Sequence, residues 1–481
     1  MHARDTETHA FHYRHGVVTR MNVEKPEGDG IIGEKLGAWI AGAQAPALPA
    51  QTVEIARLLL LDVTGLCISG RGEDYIHATL QATDPGGACT ALGHANSFSA
   101  FDAALINGTA AHGEDYDDTF EGGPVHSGAV VVPAVLAACE REGLGGDALL
   151  RGIAVGAELM CRLSLVAPRA IHTAGFHPTA VIGALAAAGG VAAALRLNAQ
   201  QASSALGIAG SMAAGIIEYL AEGTSTKRMH AGWAAQSGIR AALMARGGFD
   251  GPRTVLEGRH GFFKAFAPSR TPDFSALLDT LGSSWIMETI AFKPYACGTM
   301  TQPYIDCAIA LAERGVQADQ IRDVVCEVGE GTVHRLWEEL AVKHRPPTAY
   351  AAKFSTPFCM AVGFFDRKAG FSQFTETRIH DPAVLALAGK IRYVIDLDNE
   401  YPTNFTGHLR ATLNDGTVHE VRQPHMRGGA REPLSRSELA AKFADNAQHG
   451  GWSAALADEA RAWCETVFDE PAVGSIARFR Q

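Results

Sequence analysis

Residues 112–127 read HGEDYDDTFEGGPVHS, in which four carboxylates within 114–118 (Glu114, Asp115, Asp117, Asp118) crowd together with the hydroxyl of Thr119 and two imidazoles, His112 and His126. Such a set could move protons or bind a cation. The flanks, FDAALINGTAA and GAVVVPAVLAA, are small and apolar, the composition of buried helices. Burying an unpaired charge costs several kcal/mol, so the segment is either a solvated acidic loop between core helices or the wall of a cavity where the charges meet partners or substrate.

Other segments set polar groups in apolar surroundings. In HTAGFHPTAV, His177 precedes Pro178 and a run of Ala and Gly, which puts it at the N-terminus of a buried helix. The helix dipole disfavours an imidazolium there and favours a neutral base, although a hydrogen-bonded core histidine fits the same pattern. GTSTKRMHAGWAAQSG supplies Lys227, Arg228 and His230 ahead of a lean helix, an arrangement suited to a carboxylate. FKPYACGTMTQPYID brings Lys293, Tyr295 and Thr299 in a loop interrupted by Pro and Gly. LEGRHGFFKAF holds His260 and Lys264, but its aromatic run reads as packing and stays outside the site.

Together these groups suit proton abstraction beside a carboxylate. Lysines neutralise the substrate and a developing enolate, while a histidine (His126 or His177) or an aspartate of the acid cluster moves the proton. Arg228, Lys293 and Tyr295 are the candidate substrate contacts. No GxSxG, GxxxxGK[ST] or strand-borne GxGxxG competes with this reading.

The elements that must position these residues change character along the chain. Apolar residues at helical spacing mark helices at 31–48, 51–70 and 98–111, and helices continue to about Arg246, so residues 31–285 read as an all-α domain. The uncharged segment 178–195 has the length of a membrane span, but its Ala and Gly favour a buried helix. Beyond residue 285, IRDVVCEVGEGTV, KIRYVIDLDN and HLRATLNDGTVHEVRQ alternate apolar and polar, and Asn414-Asp415-Gly416 signals a hairpin. With helices at 301–314 and 353–369, residues 286–430 form a smaller α+β domain. Helices in 431–481 return to the first domain, which makes the second an inserted lid over a cleft. Residues 1–30 read as a flexible tail, with histidines at 2, 9, 12 and 15 and a second possible start at Met21.

The chain has 481 residues and a formal net charge of −11, with no basic stripe to attract nucleic acid. Its nine cysteines form no CxxC pair, and the first 30 residues contain no apolar run. Both features point to a reduced cytoplasmic protein without a zinc cage, an iron–sulfur cluster or a secretory signal.

In chain order, INGTAAHGEDYDDT, HSGAVVVPAVLAACEREG, GFHPTAVIGALAAA, ALGIAGSMAAG, STKRMHAGWAAQSG, GFDGPRTVLEG, FKPYACG, AKFSTPFCMA and PLSRSELAAKF resemble the MmgE/PrpD family. The resemblance implies a large helical domain with an inserted α+β lid, no metal or organic cofactor, a small polycarboxylate substrate and a homodimer. It matches the family's active-site residues to Asp115, Thr119, His126, His177, Lys227 and Lys293. Several members carry a histidine shortly after the lid lysine, where this chain reads ACGTMTQ. The leading expectation is a hydro-lyase resembling 2-methylcitrate dehydratase. The alternatives are an iminodisuccinate epimerase-like isomerase and a cis-aconitate decarboxylase-like enzyme.

Overall fold

The computed structural model describes residues 30–481. The histidines at 2, 9, 12 and 15 and Met21 lie outside the described residues.

The chain is mainly α-helical. Its longer helices are α1 (Ile32–Gly42), α2 (Ala50–Gly70), α3 (Ala100–His112), α4 (Ser127–Glu142), α5 (Gly146–Val166), α6 (Pro178–Ala194), α7 (Ala199–Met212) and α8 (Thr226–Arg246) in the first half. They are followed by α9 (Gln302–Glu313), α10 (Thr356–Asp366), α11 (Arg436–His449) and α12 (Ala454–Thr466). Many begin where the sequence supplies a cap. Ser99 accepts a hydrogen bond from the Asp102 N–H, while Asn198 with Gln201 and Ser435 with Glu438 complete capping boxes.

Helix α6 is buried along its whole length and packs against α5, α8, α4 and α7. No described helix is long and apolar enough to cross a membrane. The lean composition of α6 and α8 has a geometric cause. Helices α3 and α8 cross at Gly108 and Gly232, and a Cβ on Gly232 would collide with the Leu105 carbonyl oxygen. All nine cysteines are free and buried.

The first half is not purely helical, contrary to the all-α reading of residues 31–285. Strands β1 (Pro85–Thr90) and β2 (Ser97–Phe98) pair with each other, and β3 (Thr119–Phe120) pairs antiparallel with β4 (Ile290–Ala291), Thr119 opposite Ala291. The β3–β4 ladder ties the acidic segment to the chain leading into Lys293. Three of these four strands are two residues long and leave no alternation to read.

The expected sheet is present in the later residues. Strands β5 (Ile321–Val328), β6 (Ile391–Ile395), β7 (Gly407–Leu413) and β8 (Val418–Gln423) lie in the order β6-β5-β7-β8, with only the β5–β6 pair parallel. Gly416, at φ 89°, allows the tight β7–β8 turn. Leu311 of α9 and Met360 of α10 meet Val324 and Leu409 on the covered face. Helix α11 lies against α2, with the Phe443 ring over Gly65, so the chain's late helices contact its early ones.

Candidate active site

Helix α3 carries His112 in its last turn, and the chain then bends through Asp115 before entering β3. Asp115 adopts a left-handed conformation with φ 59°. That conformation costs a non-glycine residue about 1–2 kcal/mol, least for Asp and Asn. It also sends successive side chains in different directions. Glu114 meets Lys353, Asp115 meets Lys227 and Lys293, Asp117 meets histidines, and Asp118 turns back onto α4.

The Asp115 carboxylate is shared by two ammonium groups. Its Oδ1 accepts from Lys227 Nζ at 3.0 Å and from Lys293 Nζ at 3.1 Å, and its carbonyl accepts from Lys293 at 2.9 Å. Burial works to raise the Asp115 carboxyl, but the two lysines hold it well below the usual carboxylate range. Burial likewise works to lower Lys227, and the Asp115 carboxylate prevails and raises it. The trio sets two lysine amines against one carboxylate inside the protein, an arrangement that favours an anion nearby.

Beside it stand four buried histidines. His112 and His126 have ring centroids 5.0 Å apart, His112 stacks on His177 at 5.5 Å, and His177 lies 5.3 Å from His230. His126 Nδ1 lies 2.7 Å from the Asp118 carbonyl oxygen, so it carries the proton and leaves the Nε2 lone pair free. His112 Nδ1 donates to Asp117 Oδ2 at 2.7 Å, and Asp117 Oδ1 lies 3.5 Å from His126. Burial drives His126 down to about 3 and His230 to about 4, and holds His177 well below the ordinary histidine value. At neutral pH these three rings are neutral, as expected for His177 from its place preceding α6.

The structure thus brings together Asp115, His126, His177, Lys227 and Lys293 from four separated segments. Thr119 is buried in β3, held by the ladder to Ala291. Arg228 faces away from the lysines: its Nε donates to the Gly113 carbonyl at 3.0 Å, Nη2 lies 3.4 Å from Glu114, and its guanidinium rests over the Tyr75 and Tyr350 rings. Tyr295 does not join the cluster. Its hydroxyl donates to Asp306 at 2.6 Å and accepts from Arg427 at 3.0 Å, which makes it part of a separate network.

Asp117 stands between two site histidines as a supporting acid and caps no described helix. Asp118 does cap a helix, accepting from the Ser127 and Gly128 N–H groups of α4 at 2.9 and 2.8 Å. His112 and His230 are visible in the sequence, yet nothing in their spacing separates them from core histidines. His112, Asp117 and His126 also offer ligand atoms within 4.8 Å of one another, the one candidate metal set among the described residues. Both Nδ1 atoms are already engaged with oxygen acceptors, which is the geometry of a hydrogen-bonded network.

Comparison with known proteins places this site in context. The chain is 28% identical over 459 residues to a cis-aconitate decarboxylase of Aspergillus terreus, covering 89% of this chain and 91% of that one. It is 28% identical to the human cis-aconitate decarboxylase over 436 residues (86% and 88% of the two chains) and 27% identical to the Mus musculus protein over 437 residues (86% of each). Residues 34–275 match the MmgE/PrpD N-terminal domain and residues 295–464 the MmgE/PrpD C-terminal domain, and the chain belongs to the MmgE/PrpD family.

Proposed function

We propose that this protein is a lyase that removes carbon dioxide from a small unsaturated tricarboxylate, cis-aconitate or a close analogue. The observation that carries the reading is the buried trio of Asp115, Lys227 and Lys293, with its two lysine amines to one carboxylate, set beside neutral histidines. The full-length similarity to cis-aconitate decarboxylases favours this chemistry over the dehydration that the sequence put first.

In cis-aconitate one carboxylate sits on a methylene next to a double bond conjugated with another carboxylate. Breaking the bond to the first releases carbon dioxide and leaves the electron pair spread over the allylic carbons and the conjugated carboxylate. A proton then adds at the far allylic carbon, giving an unsaturated five-carbon dicarboxylate. Lys227 and Lys293, held by Asp115, stabilise the charge as it grows on the conjugated carboxylate, and such preorganised donors are typically worth about 10²–10³ in rate. His126 delivers the proton from Nε2. The substrate's own negative charge raises the proton affinity of this otherwise neutral ring, so it loads from solvent only with substrate in place. Thr119 orients a substrate carboxylate, while Arg228 and Tyr295 act as supports. Residues 286–430 act as the lid, and the protein works as a homodimer.

The test is a substrate panel followed by NMR and carbon dioxide detection. Carbon dioxide release from cis-aconitate supports the proposal. Water loss from 2-methylcitrate, or α-proton exchange in iminodisuccinate without loss of either fragment, replaces it with the dehydratase or the epimerase.

A further inference from the structure

Three consecutive carbonyls around Asp115 are bound by three lysines from distant parts of the chain. Lys353 donates to the Glu114 carbonyl at 3.0 Å, Lys293 to the Asp115 carbonyl at 2.9 Å and Lys442 to the Tyr116 carbonyl at 2.8 Å. Each ammonium also meets one carboxylate: Lys353 with Glu114 at 2.7 Å, Lys293 with Asp115 at 3.1 Å and Lys442 with Asp62 at 2.7 Å. The repeated pattern has a physical origin. Between the end of α3 and the start of β3 the left-handed turn gives these carbonyls no backbone N–H partner among the described residues, and a buried carbonyl must find a donor.

All three lysines are nearly inaccessible, with Lys293 0%, Lys353 1% and Lys442 7% exposed. They come from three elements: the chain following β4, the residue closing the short helix Ala349–Ala352, and α11. Tyr116 adds a further tie, its hydroxyl donating to the Pro294 carbonyl at 3.0 Å while Lys442 lies 4.0 Å from its ring centroid. Residues after 290 thus fix the backbone of a segment that precedes residue 120.

We propose that Lys353 and Lys442 are positioning residues that, with Lys293, hold the backbone of residues 114–116 so that the Asp115 carboxylate faces Lys227. The catalytic part of this statement rests on the reading of the Asp115–Lys227–Lys293 trio as the reaction site. The clamp itself does not depend on the substrate.

The experiment uses the full chain and two variants, K353M and the charge-balanced double variant D62L/K442M, which leaves no buried ion without a partner. Hydrogen–deuterium exchange is followed by mass spectrometry, alongside kcat and KM for cis-aconitate. The expected result is at least a tenfold faster exchange confined to peptides covering residues 113–119, with α6 unchanged, and a kcat reduced about 10–100-fold at a KM within threefold of wild type. Wild-type exchange rates at 113–119 in both variants would overturn the clamp. Exchange raised throughout the helical body would do so as well, because that marks general destabilisation. If the wild-type protein proves inactive on cis-aconitate, the functional reading fails while the exchange result still decides the clamp.

Discussion

Two buried aspartate–lysine sites lie on either side of the same loop and behave in opposite ways. At Asp115 one carboxylate faces two lysines, and both Asp115 and Lys227 are held in their charged forms against burial. At Asp62 one carboxylate faces one lysine at 2.7 Å, and burial outweighs the pairing: the Asp62 carboxyl is raised and the Lys442 ammonium lowered. Depth of burial is alike in the two. The number of lysines around the carboxylate decides whether the charges are firmly held, and only the first site has a second lysine amine to spare for a ligand.

The contrast can be broken most severely at Asp115. Asp115→Leu leaves Lys227 and Lys293 buried beside each other without a carboxylate, and should cost about 3–5 kcal/mol of unfolding free energy as well as activity. Denaturant titration measures the first, and a loss below about 1 kcal/mol would show that the lysines find other partners.

A second expectation concerns the neutral histidines that border the charged trio. Burial lowers His126 to about 3 in the folded protein, whereas an unfolded chain protonates near the ordinary value of about 6.5. Between those values the unfolded state binds the extra proton, so stability falls as pH falls. His126→Gln should remove about 1.4 kcal/mol per pH unit from that slope across pH 6 to 4. A wild-type stability that stays flat over this range contradicts neutral burial.

At the other site the effect on stability should be small. Asp62→Leu with Lys442→Met exchanges a marginal ion pair for apolar contacts, and its unfolding free energy should stay within about 1 kcal/mol of wild type or rise. A large loss would mean that Asp62 and Lys442 are as firmly paired as the Asp115 trio. Smallest of all is the effect of chelation. With Asp117 serving as the hydrogen-bond partner of His112 Nδ1, dialysis against EDTA should leave turnover unchanged. A loss restored by one added divalent metal would make His112, Asp117 and His126 a metal centre instead.

Much of this was legible in the sequence where a residue's context was unusual. His126, His177 and Lys227 stand beside small, apolar helices, and Asp115 lies in a loop flanked by them, so each had to have a polar partner in the interior. The strands of the larger sheet announced themselves by alternation. Finer geometry was hidden. A single left-handed residue at 115 decides which of four neighbouring acids meets which partner, and one-residue changes in direction leave no periodic trace. Nothing in the sequence separates Lys353 and Lys442 from ordinary charges, since only the folded chain shows that they end on carbonyls of residues 114 and 116.

The central claim is that the Asp115-held lysines support carbon dioxide loss while His126 returns a proton. It is tested most directly by following cis-aconitate turnover in deuterated water, with carbon dioxide and deuterium incorporation measured together. The account predicts one deuteron placed at the allylic carbon for each carbon dioxide released, and a rate at least about 10²-fold lower in Lys227→Ala. Carbon dioxide release at the wild-type rate in folded Lys227→Ala would contradict it.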